Sequence, residues 1–157
     1  MKKLYLILAI LMLMFTSLKA QDTKSILIFG DSITAGLGVE PQKAFPALIQ
    51  SKIDSLGLNY NVINGGLSGE TSAGGLRRID WVLQREVDIM ILELGGNDGL
   101  RGIELSSTKE NLQEIINKSK SKYPEIEILI AGMQVPPNLG TEYTKEFVEI
   151  YPSFAKE

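Results

Sequence analysis

Residues Ser25–Gly38 read SILIFGDSITAGLG. Ser25 to Phe29 is a compact apolar run, suited to a strand buried in a sheet. It stops at Gly30-Asp31-Ser32, a tight turn with further glycines at 36 and 38. A serine on such a turn, at the end of a buried strand, sits where a nucleophile would be presented. Yet the chain contains no histidine, and a serine hydroxyl is a weak nucleophile unless a base takes its proton.

Outward from this stretch, short apolar runs alternate with helical periods. Pro41–Leu56 carries Phe45, Leu48, Ile49, Ile53 and Leu56 at helical spacing, with Gly57 as the stop. Tyr60–Ile63 reads as a second strand. Thr71–Arg85 is helical, with Leu76, Ile79 and Leu83 on one stripe. Val87–Leu94 (VDIMILEL) is a third strand, apolar except for Asp88 and Glu93. Thr108–Lys122 is a helix with Leu112, Ile115, Ile116 and Ser119 on one face. Ile126–Ala131 is a fourth strand, and Tyr143–Lys156 a helix with Tyr143, Phe147, Ile150, Tyr151 and Phe154 in a stripe. Strands alternating with helices predict an α/β fold with a parallel sheet covered on both faces, and the near-continuous apolar strands agree. No repeat and no second domain is visible in the 157 residues.

The N-terminus has a different character. Lys2 and Lys3 precede an almost wholly apolar run, Leu4–Leu18, followed by Lys19-Ala20. This is the pattern of a secretory signal peptide cleaved after Ala20, with a domain at 21–157 and a periplasmic or secreted product. The alternative, a retained anchor, fits poorly because the run is short for a membrane span. Cleavage would remove three lysines and take the formal net charge from −3 to −6, which argues against attraction to an anionic membrane surface. No basic patch stands out, so nucleic acid is not an expected partner. With no cysteine there is neither a disulfide framework nor a thiolate metal site.

Three glycine-rich turns follow the first three strands: Gly30-Asp31-Ser32, Asn64-Gly65-Gly66-Leu67-Ser68-Gly69, and Gly95-Gly96-Asn97-Asp98-Gly99. In open parallel sheets ligands bind at the carboxyl ends of the strands, so the three turns converge on one rim. Each residue also has a plainer explanation. Ser32 could cap a helix, Gly69 could serve only backbone shape, and Asn97 could be an Asx-turn residue. Asp98 lacks the partners a metal site needs. Taken together, a serine, a glycine N–H near a helix start and an asparagine carboxamide make a nucleophile with oxyanion donors, the parts of an acyl-transfer site.

At these residues the sequence resembles the GDSL, or SGNH, hydrolases, and more narrowly their bacterial periplasmic thioesterase/lysophospholipase and arylesterase branch. The matching blocks are GDSITAGLGV at 30–39, NGGLSGETSAGGLRRI at 64–79, LELGGNDGLRG at 92–102 and EIYPSFAKE at 149–157. The resemblance implies a flavodoxin-like three-layer α/β/α fold with a five-stranded parallel sheet. It implies hydrolysis of carboxylic esters or thioesters through an acyl-enzyme, with no metal or organic cofactor. It assigns Ser32 as nucleophile and first oxyanion donor through its own N–H, Gly69 as second donor through its backbone, and Asn97 as third through its side chain. The loops after Gly99 and around Met133–Gly140 would flank the acyl group.

The family's Asp-x-x-His block is absent, and with it a fifth strand and a final helix, so on this reading the chain is C-terminally truncated and lacks its base. The fourth strand would then be an exposed apolar edge. Two other readings stand beside the esterase: a non-catalytic acyl- or ester-binding protein or inert fragment, and a flavodoxin-like nucleotide or phosphate binder, which lacks a phosphate-loop signature.

Overall fold

Strand β1 (Lys24–Gly30) is the axis of the molecule in the computed structural model, which describes residues 23–154. The expected leader at 1–20 and the end of the last expected helix, 155–157, lie outside the described residues. β1 is flanked by β2 (Tyr60–Gly66) on one side and β3 (Ile89–Glu93) on the other, with β4 (Glu127–Ile130) beyond β3. All pairings are parallel, in the order β2-β1-β3-β4. The register sets Gly30 level with Gly66 and Glu93, so three strand ends meet at one height.

Side chains alternate across the sheet. Leu27 and Phe29 of β1 and Met90 and Leu92 of β3 enter one core. That core is filled from α3 (Ser72–Val82), α5 (Leu105–Lys122) and α6 (Thr141–Phe154) by Ile79, Leu112, Ile115, Phe147 and Tyr151. The stripes expected on the last two helices face the core: Leu112, Ile115, Ile116 and Ser119 are buried, then Phe147, Ile150 and Tyr151, with Tyr143 and Phe154 half-buried at the ends. Ile28, between the two core-facing residues of β1, is also fully buried but outside this cluster. Its face is covered by α2 (Phe45–Ser55), which packs along β2 and buries Ile53. The result is the expected three-layer α/β fold, with four strands among the described residues.

Local details differ from the sequence reading. The Pro41–Leu56 helix is a 3-10 turn, Pro41–Lys43, followed by α2, with the chain extended at Ala44 between them. Of the expected stripe, Ile53 is buried and Phe45 and Ile49 are half-buried, and Pro46 is buried beside them. Leu48 and Leu56, expected in the stripe, lie on the flank of α2 and at its end and are 54% and 58% exposed. The second strand runs three residues further than Ile63, taking in Asn64, Gly65 and Gly66. The glycines permit this: a Cβ on Gly66 would collide with the backbone of Thr34 and Ala35, in the short helix α1 (Ser32–Ala35) lying against β2. The third glycine-rich turn is itself helical, α4 (Gly96–Leu100), entered through Gly95 at φ 111°. Among the described residues β4 pairs only with β3, and Leu129 on it is 52% exposed. No helix among them is long and apolar enough to cross a membrane.

Candidate active site

Ser32 is the first residue of α1, separated from the end of β1 by Asp31 alone. Asp31 caps this helix: its Oδ1 accepts from the Ile33 amide at 2.9 Å. Beneath the turn lies Glu93, the last residue of β3, only 5% exposed. Its Oε2 accepts from the Asp31 amide at 3.2 Å, the Thr34 amide at 3.3 Å and the Thr34 hydroxyl at 2.6 Å. Its Oε1 is buried with no partner among the described residues. Burial pushes the Glu93 carboxyl above its ordinary value and the Asp31 charge adds to this, against the lowering effect of the Thr34 hydroxyl.

Gly69 lies on the turn between β2 and α3 at φ 79°, a left-handed conformation that favours glycine. Its carbonyl accepts from the Arg101 guanidinium at 3.0 Å. Thr71 caps α3 through its hydroxyl, which takes the Gly74 amide. The same turn is held from below by Arg78, whose guanidinium pairs with the buried Glu70 carboxylate and donates to the Gly65 carbonyl at 2.9 Å.

Asn97 stands in the first turn of α4, and its carboxamide brings the three turns together. Nδ2 donates to Asp31 Oδ2 at 3.0 Å and to the Glu70 carbonyl at 3.0 Å. It thus touches the residue before Ser32 and the residue after Gly69. The path closes on itself, since the Glu70 amide donates to the Leu67 carbonyl at 3.1 Å and the Leu67 amide to the Gly30 carbonyl at 3.0 Å. Four hydrogen bonds therefore ring the rim where Ser32, Gly69 and Asn97 sit. In this arrangement both hydrogens of the Asn97 carboxamide already have acceptors.

Asp98 is not placed among metal-ligating partners. Its carboxylate, 1% exposed, accepts from the Ser72 amide at 2.8 Å and the Ser72 hydroxyl at 2.5 Å, with Thr108 Oγ1 at 3.4 Å. It ties the start of α3 to α4 and α5. Among the described residues no group of three or more His, Cys, Asp or Glu could hold a metal ion.

The loops after Gly99 and around Met133–Gly140 pack together. A Cβ on Gly99 would collide with Val135 and Phe147, and Leu139 lies beside Gly102. Met133 reaches Gly96 and also lines an open groove of about 530 Å³ between β4 and α6, with Ile128, Ile130 and Tyr151. The Tyr151 hydroxyl donates to the Leu94 carbonyl at 3.2 Å. Burial, with the charges of Asp98, Glu93 and Asp31, drives its ionisation far above the ordinary tyrosine range.

Sequence reasoning did not assign Glu93, Arg78 or the Ser72–Asp98 contact to the site. Glu93 had a signal: it is one of two polar residues in an otherwise apolar strand, and a carboxylate at a buried strand end must find donors. Arg78 and Ser72 had none, because their partners lie in other turns or elements.

The family model of the GDSL-like lipase/acylhydrolases matches residues 28–157. Esterase TesA of Pseudomonas aeruginosa is 37% identical over 135 residues, covering 85% of this chain and 66% of that protein. Thioesterase 1/protease 1/lysophospholipase L1 of Escherichia coli is 36% identical over 148 residues, covering 94% and 69%. A crystal structure of the SGNH-hydrolase family esterase AlinE4 superposes with a TM-score of 0.80 at 41% identity, covering 86% and 72%. The chain thus spans 66–72% of the length of these three proteins.

Proposed function

As this chain belongs to the GDSL-like lipase/acylhydrolase family, we propose that its rim is an acyl-transfer site for carboxylic esters or thioesters, with Ser32 as nucleophile. The observation that carries the reading is the Asn97 carboxamide, bonded at once to the neighbour of Ser32 and the neighbour of Gly69. Ser32 Oγ adds to the ester carbonyl carbon, the carbonyl oxygen takes the negative charge, and the alcohol or thiol leaves to give the acyl-serine. Water then releases the acid. The developing oxyanion is met by the N–H groups of Ser32 and Gly69 and by the Asn97 amide; one such donor is typically worth about 2.7–4 kcal/mol of transition-state stabilisation. Activity as an arylesterase, thioesterase or lysophospholipase, and export after cleavage at Ala20, belong to the same proposal.

The base is the open position. No histidine stands anywhere in the 157 residues, so this chain supplies nucleophile and donors but no imidazole to take the Ser32 proton. That observation favours a second reading for the chain by itself: it binds an acyl group or ester and turns it over slowly or not at all.

Incubation with a fluorophosphonate, with and without added imidazole, followed by peptide mass spectrometry, tests both readings. Slow labelling at Ser32, accelerated by imidazole and lost in Ser32→Ala, is the expected result, together with near-background aryl acetate hydrolysis. Label on another residue overturns the assignment of Ser32. Brisk hydrolysis without imidazole, lost in Ser32→Ala, overturns the view that the hydroxyl is unactivated.

A further inference from the structure

We infer that Asp31 is the positioning residue that fixes the nucleophile and the Asn97 donor relative to one another, one carboxylate oxygen for each. The inference rests on the acyl-transfer reading of Ser32 and Asn97. Asp31 is 3% exposed, and its two oxygens have separate tasks. Oδ1 takes the Ile33 amide and so sets the start of the helix on which Ser32 stands. Oδ2 takes the Asn97 amide from the neighbouring strand end. Gly96 leaves room for this approach: a Cβ there would lie 3.3 Å from Asp31 Oδ2 and 2.9 Å from Met133 Cε.

The second hydrogen of the Asn97 carboxamide goes to the Glu70 carbonyl. An oxyanion can receive an Asn97 hydrogen only if one of the two present acceptors yields it. The two are unequal, because a hydrogen bond to an ionised carboxylate is roughly twice as strong as one to a neutral carbonyl. Glu70 therefore yields and Asp31 holds. Asn97 pivots about its bond to Asp31, and the hydrogen freed from Glu70 turns to the tetrahedral oxygen. The carboxylate touches no reacting atom and acts through Asn97.

Asp31→Asn isolates this role. Asparagine caps a helix about as well as aspartate, so the bond to Ile33 survives. The oxygen that received Asn97 is replaced by an NH₂ facing another NH₂. The probe is phenylboronic acid on the full chain, followed by ¹¹B and side-chain ¹⁵N NMR. The Ser32 hydroxyl adds to trigonal boron and its proton goes to buffer, giving a tetrahedral anion without a histidine.

The wild type forms the adduct and Ser32→Ala does not. Asp31→Asn weakens it tenfold or more, and Asp31→Asn combined with Asn97→Ala is no weaker than Asn97→Ala alone. An Asp31→Asn chain that binds like the wild type, or two losses that multiply, overturns the role of Asp31 and leaves Ser32 standing. A wild type that forms no Ser32 adduct removes the acyl-transfer reading and this role with it. A measurement needing no variant runs beside these. Both Asn97 amide protons exchange slowly in the free chain, and only one changes environment on boronate binding. Two fast-exchanging protons overturn the inference even if every variant misfolds.

Discussion

Arg78 lies 4.4 Å from the centroid of the Phe29 ring while its guanidinium grips both oxygens of Glu70. Glu70 is 7% exposed, so removing the cation leaves a buried charge without a partner. Breaking such a pair costs about 3–5 kcal/mol. Arg78→Ala is expected at about 3 kcal/mol in urea unfolding, since the guanidinium is partly solvated. Arg78→Lys keeps the charge but loses the fork, which also serves the Gly65 carbonyl, and recovers less than half of the loss. Arg78→Met with Glu70→Leu, which removes both charges, is expected to be more stable than Arg78→Ala alone. If the double variant is the weaker of the two, the pair is not the source of the loss.

The Ser72–Asp98 contact joins two of the turns. Asp98→Asn leaves one acceptor oxygen for the Ser72 amide and hydroxyl, so a buried donor goes unmet, at about 1–3 kcal/mol. Ser72→Ala removes the hydroxyl but also strands the Asn111 side chain that donates to it at 3.0 Å. The two losses are expected to be strongly non-additive in a double-mutant cycle. Additivity within experimental error would show that each residue is stabilised elsewhere.

Glu93 gives a pH dependence with a defined sign. Its carboxyl titrates above the ordinary value of 4.5 in the folded chain because burial, reinforced by Asp31, disfavours its charge. Folding therefore favours the protonated form. This contribution is fully present below 4.5 and is lost as pH rises through the higher folded value. Glu93→Gln cannot titrate. The Tm of the wild type, measured relative to Glu93→Gln, is expected to fall as the pH rises above 4.5. A difference that is constant or moves upward contradicts the assignment.

Leu129 is exposed on β4, where the outer row of backbone groups has no neighbouring strand among the described residues. Such an edge invites pairing with another chain, and a lysine on it discourages that. Leu129→Lys is expected to lower concentration-dependent light scattering while changing stability by no more than about 0.5 kcal/mol, as for other surface positions. Unchanged scattering places the association elsewhere.

Much of the arrangement was legible because it is periodic. The apolar runs around Leu27, Met90 and Ile128 and the stripes through Ile115 and Phe147 follow from the spacing of side chains, and parallel pairing follows from their alternation. What the sequence concealed is contact between distant turns. That Gly65 and Gly66 continue a strand is visible only once β1 is seen packed against the first and α1 against the second. That Leu48 faces outward depends on how wide a face α2 has to cover. For the candidate site, Ser32, Gly69 and Asn97 stand out by residue type on the turns that follow strands. The role of Asp31 did not, because its partner lies 66 residues away and a capping function already accounts for an aspartate before a serine.

The strand order carries a consequence for local opening. The turns bearing Ser32, Gly69 and Asn97 hang from β1, β2 and β3, which are adjacent in the sheet, with the serine on the strand bonded along both edges. β4 is four residues long and, among the described residues, paired on one side. Among the described residues the outer strands are β2 and β4, and β4 is the shorter, so fraying on that side starts at β4 and reaches β1 only through β3. The four-bond ring can survive partial unfolding that already exposes Met133 and the groove beside it, so the groove would open before the turns of Ser32, Gly69 and Asn97 lose their alignment.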